Sequence, residues 1–166
     1  IIAGLLKVGF TVKFWPDNLW YDPVYTPQLQ QLGVEVIYGS KHVGRFQQWL
    51  AATEGCVSHV LLNRPHIAIN YVDILASFKN IKVVYYGHDL HFERLQRECS
   101  INPSASLEKD IEYFYKLESS IWSKVDTVLY PSQDEAETVK RLLPSANSAA
   151  ISPYIYEGLE AFSQRN

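Results

Sequence analysis

The run Ile81-Lys82-Val83-Val84-Tyr85-Tyr86 is apolar at all but one position and breaks at Gly87, the pattern of a strand buried on both faces. Similar short runs recur along the chain. Phe10 to Trp15 alternates and is stopped by Pro16, and Val34 to Tyr38, His59 to Leu62, Asp126 to Tyr130 and Ala149 to Ile151 read as further strands. Between them the apolar spacing becomes helical. Ile1, Ile2, Leu5 and Val8 share one helix face that stops at Gly9, Pro27 to Leu32 stops at Gly33, and Val43, Phe46, Trp49 and Leu50 mark a helix reaching Thr53. Pro65 opens a helix to about Phe78, and Leu107, Ile111, Phe114, Ile121 and Val125 stripe a long one from about Leu107 to Lys124. Ser132-Gln133-Asp134-Glu135 is a capping box before a helix to Leu143, and Tyr154 to Phe162 reads as a final helix.

Strands that alternate with helices, each strand a nearly continuous apolar run, predict an α/β fold. The expected form is a doubly wound, Rossmann-like parallel sheet with helices on both faces. With 166 residues, 47% of them hydrophobic, the chain is expected to form one such domain over 1–166. A net charge of −3 without a Lys/Arg block argues against a nucleic-acid partner. No stretch approaches the roughly 20 apolar residues that span a bilayer. Cys56 and Cys99 lack metal-type spacing and are expected as free thiols in a cytoplasmic setting. The chain has no methionine and opens within a helix, so it is expected to be a piece of a longer protein that has lost its first strand.

Chemistry gathers where strands end, since ligands of open α/β sheets bind beyond the carboxyl ends of the strands. Four exits are expected at one edge: after Trp15, after Leu62, after Tyr86 and after Tyr130. Asn63 and Arg64 follow the second, Gly87, His88 and Asp89 the third, and Ser132 with the first amides of its helix the fourth. Neither G-x-G-x-x-G nor G-x-x-x-x-G-K-[ST] occurs, which removes the dinucleotide fingerprint and the P-loop. His88 could donate to a sugar hydroxyl with Asp89 fixing its orientation, or could simply cap the strand end. Arg64 could grip an anionic ligand or pair with a nearby carboxylate. The aromatic loop from Trp15 to Tyr25 could stack on sugar rings or pack down its own turn. His88, Asp89, His91 and Glu93 lie close in sequence, but not at the i, i+4 spacing of a helical zinc site. Glu118 falls on the apolar stripe of its helix and so requires a partner, for which Arg94 or Arg97 is expected.

Taken in order, Leu5-Leu6-Lys7-Val8-Gly9-Phe10-Thr11-Val12, Leu32-Gly33-Val34-Glu35-Val36, Val84-Tyr85-Tyr86-Gly87-His88-Asp89, Glu118 and Asp126-Thr127-Val128-Leu129-Tyr130-Pro131-Ser132 resemble a known family. It is the amino-terminal, acceptor-side domain of GT-B glycosyltransferases of the retaining group 1, family-four-like class. The resemblance covers most of the chain and implies half of a GT-B architecture. It implies transfer of a sugar from a nucleotide-diphosphate-sugar donor to a saccharide or lipid-linked acceptor, as in surface polysaccharide assembly. It also implies no cofactor, no bound metal, and a cytoplasmic enzyme, at most peripheral to the inner face of a membrane. The family's histidine near the transferred sugar falls on His88 with Asp89 beside it, and its helix-opening serine falls on Ser132. Trp15, Asn63, Arg64, Tyr86 and Gly87 complete the expected substrate-binding set. The first strand with its glycine-rich loop and the donor-binding domain are missing, so the piece alone is expected to be inactive. Three rivals stand beside this reading: a nucleotide-sugar epimerase of the same fold, a non-catalytic sugar or partner binding module, and a metal-dependent hydrolase on His88, Asp89, His91 and Glu93.

Overall fold

The computed structural model describes residues 1–53 and 55–152; the helix expected at Tyr154 to Phe162 lies outside them. The chain divides into two compact units, the first holding Ile1–Phe46 and the second Gln47–Ile151.

In the first unit, helix α1 (Ile2–Lys7) leads to β1 (Lys13–Phe14), and helix α2 (Tyr25–Gln31) leads to β2 (Glu35–Val36). The two strands pair in parallel, Lys13 opposite Glu35, and these two side chains form an ion pair across the register. Both helices end at a glycine in the left-handed region, Gly9 at φ +94° and Gly33 at φ +89°, where a residue with a Cβ is strained. Asp22 starts α2 by accepting hydrogen bonds from the amides of Val24 and Tyr25, both at 2.8 Å. The expected strands are longer than these two-residue pairs because only Lys13–Phe14 and Glu35–Val36 satisfy a ladder.

Helix α3 (Phe46–Ala52) spans the boundary in sequence. The second unit then runs β3 (His59–Asn63), α4 (Pro65–Leu75), β4 (Lys82–Tyr86), α5 (His91–Ile101), α6 (Ala105–Trp122), β5 (Thr127–Tyr130), α7 (Gln133–Leu142) and β6 (Ser148–Ala150). Its strands form one sheet in the order β3-β4-β5-β6, every pair parallel. Parallel neighbours need a crossover, and helices supply each one. This is the α/β, doubly wound Rossmann-like class that the pattern predicts. Val83, Tyr85, Tyr86, Val128 and Tyr130 from the two middle strands are buried, and Ile121 and Trp122 of α6 are buried too. No described helix is long and apolar enough to cross a membrane.

The helix α5 is an element that local patterning missed. Its N-cap is Leu90, whose side chain makes no capping bond, and only Phe92 and Leu95 are buried along it. The signal that starts it comes from elsewhere in the chain.

Candidate functional site

The carboxyl edge of the four-stranded sheet collects three of the four expected exits. Asn63 is the register partner of Tyr86, and Tyr86 of Leu129, so Arg64, Gly87 and the residues after Tyr130 leave the sheet side by side. Trp15 belongs instead to the two-stranded sheet of the first unit. There its ring meets His42 and Phe46 edge-on at 5.7 and 5.2 Å, a packed position that favours the turn-packing alternative for this side chain. In the same loop Tyr21 packs on Tyr38 at 5.0 Å, while Trp20 and Tyr25 stay exposed.

Gly87 is required by close approach. Its amide donates to the Leu129 carbonyl at 2.9 Å, and a Cβ there would lie 2.8 Å from the Tyr130 hydroxyl oxygen and nearer still to two carbons of that ring. Beyond this point His88 projects outward. Its ring leans edge-on against Tyr86, centroids 5.0 Å apart, and the side chain is otherwise exposed. Partial desolvation in this position, then the nearby Arg64 charge, holds the imidazole below its ordinary pKa, so it is neutral at pH 7 and can both donate and accept.

Arg64 carries two marks. It has φ +62° and ψ 134°; the ψ suits a residue before proline, but the φ is one that side chains avoid. Its guanidinium is exposed and forms no ion pair among the described residues. Asn63 is exposed beside it at the end of β3. Ser132 is committed to helix α7: its Oγ accepts from the Glu135 amide at 3.3 Å and its own amide donates to Glu135 Oε2 at 3.2 Å, which closes the expected capping box, while Oγ also donates to Oε2 at 2.8 Å.

Asp89 makes no hydrogen bond to His88 among the described residues. Its carboxylate accepts from Arg94 Nε at 2.8 Å and lies 3.5 Å from His91 Nδ1. Glu93 pairs with Arg97 at 3.1 Å. The sequence-adjacent His88, Asp89, His91 and Glu93 therefore disperse, and no three His, Cys, Asp or Glu side chains among the described residues are arranged to hold a metal ion.

Glu118 overturns the expected pairing. It is fully buried, and neither Arg94 nor Arg97 reaches it. Its Oε1 accepts from the His91 amide at 3.1 Å and its Oε2 from the Phe92 amide at 3.4 Å, so it caps α5 across the chain. His91 Nδ1 lies 3.3 Å from Glu118 Oε1 and 3.2 Å from the Asp89 carbonyl. Both neighbours are acceptors, so Nδ1 carries the hydrogen. The bond to Glu118, with further help from Asp89, raises the pKa of His91 against its partial burial. Its ring stacks on Phe114, centroids 5.0 Å apart at 15°.

An open groove of about 400 Å³ along α7, lined by Asp134, Glu137, Thr138 and Arg141, involves none of the strand-exit residues. Cys56 and Cys99 are free thiols. No protein-family model, curated protein or solved structure matches this chain.

Proposed function

We propose that this chain is the acceptor-side half of a cytoplasmic, retaining glycosyltransferase that moves a sugar from a nucleotide-diphosphate donor to a saccharide or lipid-linked acceptor. The observation that carries the reading is the edge formed by His88 and Arg64. A neutral imidazole and a guanidinium that forms no ion pair among the described residues stand together at the carboxyl ends of parallel strands, where α/β proteins bind their ligands. Imidazole suits a sugar hydroxyl, and guanidinium suits a phosphate or carboxylate. The order of motifs from Leu5 to Ser132 supports the same assignment by resemblance. His88 bonds the transferred sugar and stabilises charge as the donor bond breaks, and Arg64 takes an anionic group of the ligand. Ser132 contributes through the α7 start that it caps rather than through a free hydroxyl.

The test is turnover of a panel of nucleotide-diphosphate sugars by the full-length protein that contains this chain, with the product isolated. His88→Ala is expected to lower transfer about 100-fold, the scale of one well-placed polar group in a transition state. A full-length protein that turns over no donor yet binds saccharide would replace this reading with the binding module.

A further inference from the structure

The turn that carries His88 is tied down through four backbone amides, those of Gly87, Leu90, His91 and Phe92. The Gly87 amide goes to the Leu129 carbonyl at 2.9 Å, and the Leu90 amide to Glu135 Oε1 at 3.2 Å. The amides of His91 and Phe92 go to Glu118, and the Asp89 carbonyl accepts from His91 Nδ1. Two carboxylates from two different helices thus receive three consecutive amides at the start of α5. Glu135 does so while its other oxygen closes the Ser132 capping box, which fastens the turn to the start of α7. Of the polar side chains in the turn, His88 is the one that makes no such bond among the described residues.

A helix start can be capped by one local serine or aspartate. Two glutamates from other helices, Glu118 of them fully buried, together with the helix's own first residue His91, go well beyond that requirement. Supporting shells of this kind are what hold a reacting side chain to a narrow range of positions.

We infer that Glu118 and Glu135, with His91 as the bridge between Glu118 and the Asp89 carbonyl, are positioning residues that hold the His88 ring in one orientation at the sheet edge. Their value to the site rests on the reading of His88 given above, but the clamp itself is a property of the ligand-free chain. His91 is the member that decides the matter. Its ring contributes both the stack on Phe114 and the Nδ1 donor, and two substitutions separate them. His91→Phe keeps a ring for the stack and removes the donor. His91→Asn removes the stack and supplies a side-chain N–H close to where Nδ1 stood.

The experiment is solution NMR on the isotopically labelled full chain without ligand. It follows the contacts between the His88 and Tyr86 rings and the exchange of the Leu90, His91 and Phe92 amides. In His91→Phe the ring contacts are expected to average out and amide exchange to quicken about tenfold, as for loss of one charge-assisted bond. His91→Asn is expected to restore the His88–Tyr86 contacts. Glu135→Gln, at a partly exposed site, is expected to quicken Leu90 exchange in the same way. Should Glu118→Gln fail to fold, these variants still decide. A folded His91→Phe protein that keeps the wild-type ring contacts overturns the inference, as does an Asn variant that rescues nothing. Because no ligand is present, that outcome is separate from a negative result for His88→Ala in the transfer assay.

Discussion

Replacing Gly87 with alanine tests the packing beneath the site. The added methyl would stand 2.8 Å from the Tyr130 hydroxyl oxygen and closer to Cε1 and Cζ, whereas carbon atoms rest about 3.5–4.0 Å apart. Tyr130 must therefore retreat by about 1 Å. It has nowhere to go: the side chain is fully buried, Tyr85 crosses it edge-on at 6.3 Å, and Trp122 Nε1 donates to its hydroxyl at 3.3 Å. Overpacking of this size costs about 1–3 kcal/mol. Breaking the Trp122 bond adds about 1 kcal/mol. The stiffer unfolded chain returns about 0.5–1 kcal/mol. The expected net loss is about 2 kcal/mol, read as a fall in unfolding temperature of about 4–8 °C for a chain of this size. Urea and thermal unfolding followed by circular dichroism measure it. Tyr130→Leu in the Gly87→Ala background should cost less than the two changes separately, because the leucine vacates the space that the methyl needs. A Gly87→Ala protein as stable as wild type, or more stable, would refute the steric account and leave only the entropic gain.

Three further outcomes follow from the same region. The Tyr85 hydroxyl is buried and, although it lies near that of Tyr130, closes no hydrogen bond of normal geometry. Tyr85→Phe is therefore expected to be neutral or to stabilise by about 1 kcal/mol, while Tyr130→Phe, which orphans the Trp122 N–H, destabilises by a similar amount; equal effects in urea unfolding would contradict this. Arg64→Gly should raise stability by about 1 kcal/mol, since relief of a strained φ worth about 1–3 kcal/mol exceeds the entropy that glycine costs; a lowered unfolding midpoint would count against the strain. His91 has its folded pKa raised above the ordinary value of 6.5 by its bond to Glu118, so its contribution is fully present below pH 6.5 and is lost as pH rises through the folded value. His88 is shifted the opposite way, so the comparison is between wild type and His91→Phe: the variant should lose less stability than wild type between pH 6 and pH 9, and parallel curves would refute the linkage.

Much of the fold is legible in local pattern because local forces make it. The β4 run, the Pro65 start, the Ser132 capping box and the two helix-ending glycines each act within a few residues, and each is found where the sequence puts it. The strands β1 and β2 are shorter than their patterns, since alternation marks where a strand could lie and ladder partners decide where it does. The placement of Asn63, Arg64, Gly87 and His88 at one edge was legible for a related reason. In a parallel sheet every strand ends on the same side, so topology alone assembles their backbones.

What local pattern could not supply was the set of partners. Asp89 sits next to His88 in sequence, yet its carboxylate bonds Arg94 and lies against His91 instead. Glu118 carries a signal, a charge on an apolar stripe, but the expectation of an arginine partner holds only if a buried charge needs a countercharge. A carboxylate can equally be satisfied by oriented amides, and the start of a helix offers several unbonded ones with a favourable dipole. Helix α5 has no local cap because Glu118 provides it from 26 and 27 residues away, and the partner of Glu118 is the start of a helix that local pattern does not mark. A helix interior that places a glutamate on its core face is a reason to look for an uncapped helix start elsewhere in the chain before looking for a cation.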